Sequence, residues 1–211
     1  MDLRLKSIYE SILEGDMEAA PEHVQAALDS GAMPDVILNE GMIAAMTEVG
    51  RLFEGGEYYV PEMLVSARAM QFCLTVLRPH LIETGVKPIG TVVIGTVQGD
   101  LHDIGKNLVA MMLEGVGFAV LDLGVNVEAD KYVAAIQEHS TQIVALSALL
   151  TTTMPKMKTT IEALRASGIA AGIKIMVGGA PVTAAHAESI GADGYAADAS
   201  QAAVLARSFV K

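Results

Sequence analysis

Cysteine is nearly missing: Cys73 is the single one among 211 residues, so no disulfide can form within the chain. Its neighbours Phe72 and Leu74 suggest a buried helical position and an inert thiol. Tryptophan is absent and aromatics reach only 4%, while Met is plentiful at 12 residues, most of them read as core filling. Charged residues are few, 18%, and the basic ones are outnumbered, which leaves a net charge of −11. An acidic surface repels phosphate backbones and no basic cluster breaks the pattern, so nucleic-acid binding is disfavoured. The start, Met1-Asp2-Leu3-Arg4-Leu5-Lys6, has no apolar signal core. No apolar run approaches the roughly 20 residues of a membrane span. A soluble cytoplasmic protein, with no membrane partner, is the expectation.

What is present is apolar material, 52% of the chain, which argues against disorder and suffices for one large domain or two small ones. The first 82 residues read as helices separated by turn signals. Leu3, Leu5, Ile8, Ile12 and Leu13 fall near one face, and Gly15 ends that segment. Asp16 is a plausible N-cap for a second helix carrying Val24, Ala27 and Leu28, which stops at Ser30-Gly31. Pro34 suits the first turn of a third, which carries Ile37, Leu38, Met42, Ala45, Met46, Val49 and Leu52 to Gly55-Gly56. Pro61 opens a fourth, through Met63, Leu64, Ala67, Met70, Leu74 and Leu77. Four helices with short connections predict a small bundle.

A connector, residues 83–88, follows, and the period changes beyond it. Strands are predicted near 90–97, 118–122, 142–147, 173–177 and 193–196. Helices are predicted near 104–115, 129–138, 155–167, 182–190 and 199–208. Such alternation implies an α/β fold, a five-stranded parallel sheet covered on both faces, with a flavodoxin-like order 2-1-3-4-5. The expected division is a helical domain over 1–87 and an α/β domain over 88–211.

Ligands of open α/β sheets sit beyond the carboxyl ends of the strands, near the switch point. The loop after the first strand reads Gln98-Gly99-Asp100-Leu101-His102-Asp103-Ile104-Gly105-Lys106-Asn107. It is neither a G-x-G-x-x-G dinucleotide loop nor a Walker loop. A histidine at a loop tip is free to point at a ligand, and Asp100 could orient its second nitrogen. Taken alone, such a histidine is more often merely solvated, and Asp103 reads as a helix N-cap. The third strand ends at Ser147-Ala148-Leu149, followed by Leu150-Thr151-Thr152-Thr153, a hydroxyl run that could simply cap the next helix. The fourth ends at Gly178-Gly179, a tight turn or a place where a ligand lies against backbone.

Together, Asp100-x-His102-x-x-Gly105, Ser147-x-Leu149 and Gly178-Gly179 resemble the signature of cobalamin-binding domains of the methionine synthase type. The intervals, 41 residues from Gly105 to Ser147 and 28 from Leu149 to Gly178, look like those of the family. Val49-Gly50-Arg51-Leu52-Phe53-Glu54-Gly55-Gly56 and Val60-Pro61-Glu62-Met63 resemble the helical cap that precedes such domains. Nearly the whole chain is covered, and it looks most like the stand-alone corrinoid proteins of methyltransferase systems.

The resemblance implies that His102 is the lower axial ligand of the cobalt in a cobalamin or related corrinoid. Asp100 would accept a hydrogen bond from the far nitrogen of His102, and Ser147 would continue that relay. Residues Gly99, Leu101, Asp103, Ile104 and Gly105 would belong to the cofactor-binding loop. The displaced nucleotide tail would pass Gly178 and Gly179, with Leu149 and Thr151 along its entry and Tyr195 and Asp198 near its pocket. Phe53, Val60 and Met63 would be the cap's apolar positions over the upper face. The function so implied is a methyl carrier: cob(I)alamin accepts a methyl group from a substrate-specific methyltransferase, and methylcobalamin donates it to a second methyltransferase acting on tetrahydrofolate or a thiol. A reductive activator would recover protein left in the oxidised, hydroxocobalamin-like state. Such a chain is a subunit of a methyltransferase system, not expected to turn over alone.

Four other readings compete. A cobalamin-dependent sensor would need a DNA-binding head, for which 211 residues leave no room. A small mutase subunit would lack the helical cap. A phosphoacceptor receiver needs an Asp where this chain has Ser147. A zinc or manganese site on Asp100, His102 and Asp103 would need further ligands from elsewhere.

Overall fold

The computed structural model describes residues 2–168 and 171–210. The chain separates into two compact units, one holding Met1–Pro88 with Glu114–Gly117, the other Ile89–Leu113 with Phe118–Lys211.

The first unit is helical: α1 (Leu3–Glu14), α2 (Ala19–Asp29), α3 (Pro34–Val36), a π-helical stretch (Ile37–Ile43), α4 (Ala44–Glu54) and α5 (Val60–Glu83). Asp2 caps α1 by accepting from the Arg4 amide. Asp16 accepts from the amides of Glu18 and Ala19, so it organises the turn that leads into α2. The Leu13 carbonyl, one of the orphan acceptors at the end of α1, accepts hydrogen bonds from the hydroxyls of Tyr58 and Ser66. Leu5, Ile8, Ile12, Val24, Met46, Val49, Met70 and Leu77 fill the interior.

The third predicted helix departs from expectation. Its pattern suggested one continuous α-helix, yet Ile37–Ile43 is wound as a π-helix. The i→i+5 winding brings residues five apart onto one side, and Ile37 and Met42 are both wholly buried. Gly41 leaves room for Ile8, whose Cγ2 would lie 3.3 Å from a Cβ there.

α5 is long and apolar enough, at 24 residues, to cross a bilayer on length and composition, although Glu62, Arg68, Arg78 and Glu83 break its apolar run. Met63, Ala67, Met70, Cys73 and Leu77 on its inner side are buried, as in the core helix of a bundle.

The second unit alternates: β1 (Thr91–Thr96), α6 (Ile104–Gly115), β2 (Ala119–Asp122), α7 (Ala129–Glu138), β3 (Ile143–Ser147), α8 (Met154–Ala166), β4 (Lys174–Gly178), α9 (Ala184–Ser189), β5 (Gly194–Ala196) and α10 (Ala199–Phe209). The sheet is parallel throughout, in the order β2-β1-β3-β4-β5. Val93, Val144, Leu146, Ile175 and Val177 point to one face, packing with Tyr132, Ile136, Met157, Ile161 and Leu164 of α7 and α8. Val92, Ile94, Ile143, Ala145 and Met176 alternate to the other face and are buried too. Burial on both faces explains why these strands read as nearly unbroken apolar runs. The switch point falls between β1 and β3, so a crevice opens between the loops that follow them.

Candidate functional site

The loop after β1 is held from below. Thr96, fully buried, donates its hydroxyl to the His102 carbonyl at 2.9 Å. Gly99 turns the chain with φ +84°, a left-handed conformation that glycine adopts freely. The turn drops Asp100 into the interior, where it has no exposed surface. Both carboxylate oxygens are in use. Oδ1 accepts from the His102 amide at 3.1 Å and from His102 Nδ1 at 2.7 Å. Oδ2 accepts from the amides of Leu149 and Leu150 and from the Thr153 hydroxyl, at 2.8, 3.2 and 2.7 Å. Burial alone would raise the Asp100 carboxyl; the hydrogen bonds from Thr153, His102 and Leu149 outweigh it and hold the group well below the usual carboxylate range.

An ionised carboxylate only accepts, so Nδ1 of His102 is the donor in that bond, and Nε2 is the nitrogen with no bond to Asp100. The imidazole remains about half exposed, 49%, so the second nitrogen belongs to a ring that reaches the surface. Leu101, Ile104, Leu149 and Leu150, all exposed, give the crevice an apolar rim. Gly105, in the first turn of α6, is open: a Cβ there would touch nothing within 4 Å. Nothing in the protein's own packing requires glycine at that position, whereas a ligand lying across the turn would.

The Ser147 relay needs correction. The hydroxyl on Asp100 is that of Thr153, and Ser147 is not among the partners of that carboxylate. Ser147 ends β3 with its side chain partly exposed. Five residues separate Ser147 from Thr153, and they let the loop after β3 fold back over Asp100, so that Thr153 and not Ser147 reaches the carboxylate. The run Thr151-Thr152-Thr153 was the available signal, but it reads equally well as a cap for α8.

The glycine pair also has a more definite cause than a ligand alone. Gly179 lies at φ +127°, and a Cβ on it would sit 2.0 Å from the Ala148 carbonyl oxygen. The backbones after β3 and β4 therefore touch there, and only glycine fits. Asp198 caps α10, accepting from the Gln201 amide at 2.8 Å, and Tyr195 is partly buried in β5. Thr151 is exposed on the same loop as Leu149. Asp103 sits at the start of α6, where its carbonyl accepts from the Asn107 amide at 2.7 Å. In the helical unit Val60 is exposed and Phe53 partly buried, while Met63 is 1% exposed and offers almost no surface.

A zinc or manganese site from Asp100, His102 and Asp103 does not form. Among the described residues no group of three or more His, Cys, Asp or Glu is arranged to hold a metal ion. Both oxygens of Asp100 are already committed to protein donors. One oriented imidazole suits a metal whose remaining positions are filled by a macrocycle, as in a corrinoid. The donor set and the open surface at Gly105 both fit that group.

Known proteins resemble this chain over nearly its whole length. Family models described as B12 binding domain match residues 90–204 and residues 4–78. The chain is 41% identical over 203 residues to trimethylamine corrinoid protein 2 of Methanosarcina mazei, covering 95% of this chain and 93% of that protein. A cobalamin-binding protein from Desulfitobacterium hafniense superposes with a TM-score of 0.81 at 30% identity, covering 98% of both chains. A chain of the methanol:cobalamin methyltransferase complex MtaBC of Methanosarcina barkeri superposes with a TM-score of 0.87 at 31% identity, covering 99% of this chain and 80% of that one. The chain belongs to the B12-binding corrinoid proteins of methyltransferase systems.

Proposed function

We propose that this protein is a methyl carrier that works between two methyltransferases, with His102 as the protein ligand to cobalt. The observation that carries the reading is the His102 Nδ1 to Asp100 Oδ1 hydrogen bond of 2.7 Å, made by an aspartate whose other oxygen is saturated by protein donors. A bound corrinoid would supply a metal able to accept and release a methyl group. The chain's own residues supply position and proton control. Asp100 holds the imidazole in one tautomer, and Thr153 and the amides of Leu149 and Leu150 hold Asp100. A histidine so oriented would hold the metal of a corrinoid, and Asp100 would tune how strongly it does so.

Gly99, Leu101, Asp103, Ile104, Gly105, Leu149 and Thr151 are proposed to line the cofactor, with Gly178, Gly179, Tyr195 and Ser147 toward its nucleotide tail. Asp198 joins them only through its place at the start of α10. Residues 1–87 are proposed as a cap, with Phe53, Val60 and Met63 as its apolar positions toward the cofactor. Residues 88–211 are proposed as the cofactor domain. The partners are a substrate:corrinoid methyltransferase, a corrinoid:acceptor methyltransferase using tetrahydrofolate or a thiol, and a reductive activator. The methylamine and methanol systems of the relatives make those donors the first to try. A cytoplasmic setting agrees with a lone, buried Cys73.

The test is the visible absorption spectrum after incubation with hydroxocobalamin and desalting, run beside His102→Ala. Retained colour with a spectrum altered by the substitution supports the reading, and a colourless wild type rejects it. Methyl transfer should then need both partner enzymes, and fast turnover by the isolated chain would refute the carrier role.

A further inference from the structure

Asn126 is the single non-glycine residue at positive φ, +52°, among the described residues. Such a conformation costs an L-residue energy unless its surroundings impose it, and asparagine tolerates it better than most. It lies in the loop after β2, outside every motif that marked the site. Two hydrogen bonds explain why the conformation is kept. The Gly99 amide donates to Asn126 Oδ1 at 2.7 Å, and the Asn126 amide donates to the Asp100 carbonyl at 2.9 Å. One residue thus clamps both sides of the peptide that joins Gly99 to Asp100.

The clamp has a firm base. Val127 donates to the Thr96 carbonyl, Thr96 to the Gly124 carbonyl, and Leu123 to the Ile94 carbonyl, which extends the β1–β2 pairing into the loop. Lys106, whose side chain is only 2% exposed, makes an ion pair with Asp122, and Asp122 also accepts from the Gly124 amide at 2.8 Å. A buried cation of this kind is stable only when paired, so Asp122 ties the first turns of α6 to the end of β2. The His102 loop therefore has α6 on one side and the Asn126 loop on the other.

We infer that Asn126 is a positioning residue for the cobalt ligand, setting the Asp100–His102 turn in its ligating form before the corrinoid arrives. This rests on the corrinoid reading of the site. Its physical content is preorganisation: a loop already ordered loses less freedom on binding, so removing the clamp weakens ligation without removing a ligand.

Two substitutions separate the clamp from the backbone conformation. Asn126→Gly keeps the left-handed turn and loses the side-chain acceptor. Asn126→Asp keeps both. Amide hydrogen exchange of the cofactor-free protein is compared with hydroxocobalamin titration followed in the visible spectrum. In Asn126→Gly, exchange over residues 99–103 should accelerate about fivefold or more while β3 and β4 exchange as before, and hydroxocobalamin affinity should fall about five- to tenfold, the worth of one such hydrogen bond. Asn126→Asp should restore both. If the wild type takes up hydroxocobalamin and Asn126→Gly matches it in both measurements, or if exchange rises evenly across the sheet, the positioning role is overturned and the corrinoid reading stands. A wild type that takes up no hydroxocobalamin overturns both.

Discussion

Thr153 donates its hydroxyl to Asp100 Oδ2 at 2.7 Å across 53 positions of chain, and so joins the loop after β3 to the loop that carries His102. The bond is to a buried, ionised acceptor, the kind worth most in a protein interior. It makes the orientation of His102 depend on both walls of the crevice at the sheet's switch point.

Thr153→Val should therefore destabilise the cofactor-free protein by about 1.5–3 kcal/mol, since it removes a donor from a charged acceptor. Ser147→Ala should stay within about 0.5 kcal/mol, as expected of a change outside such a network. Urea unfolding of the two variants decides it, and a larger loss from Ser147→Ala would return the relay to that residue.

Asp100 ionises more readily in the folded protein than its ordinary value of 3.8. The sign follows from linkage: a lowered folded value gives stability that is present above 3.8 and lost as pH falls below it. The stability gap between wild type and Asp100→Asn should be widest above about pH 5 and should narrow steadily toward pH 2. Chemical unfolding over that range measures it, and a gap that widens in acid would contradict the hydrogen-bonding pattern.

The two glycines of the motif should fail in different ways. Gly179→Ala puts a Cβ 2.0 Å from the Ala148 carbonyl, so the fold itself should suffer, by about 4 kcal/mol or more. Gly105→Ala meets nothing of the protein and should leave the melting temperature unchanged or raise it, since alanine favours a helix by up to about 1 kcal/mol. Its defect should appear in hydroxocobalamin uptake, weakened about tenfold, or about 1.4 kcal/mol. Thermal unfolding and equilibrium titration of both variants separate the two effects.

Cys73 is wholly buried, and burial pushes its thiol up to about 12. The native protein should therefore resist a thiol reagent at pH 8 and react at the rate of unfolding, because the thiolate is the reactive form. Rapid labelling without denaturant would show α5 to be loosely packed.

Much of the architecture was legible along the chain. The helices α6 and α7 of the second unit are Ile104–Gly115 and Ala129–Glu138, the ranges that periodicity gives. Strands buried on both faces must be apolar throughout, and short crossovers leave few orders for them. The π-helical winding at Ile37–Ile43 was not legible, because apolar residues spaced five apart look like a slightly irregular α pattern until the position of Ile8 is known. His102 and Asp100 stood out because both lie within one loop. Thr153 and Asn126 did not, since each meets that loop only after a crossover.

Local sequence determined the helical character of the first unit, the strand–helix alternation of the second, and the short segment that brings an aspartate beside a histidine. These depend on residues a few positions apart, where side-chain period, turn chemistry and capping act directly. The tertiary structure alone decided which hydroxyl reaches Asp100, why Gly179 admits no side chain, and why Asn126 keeps a costly backbone angle. Each of those depends on two loops that meet only when β1, β2, β3 and β4 take their places side by side, because a hydrogen bond or a clash between them exists only at contact distance.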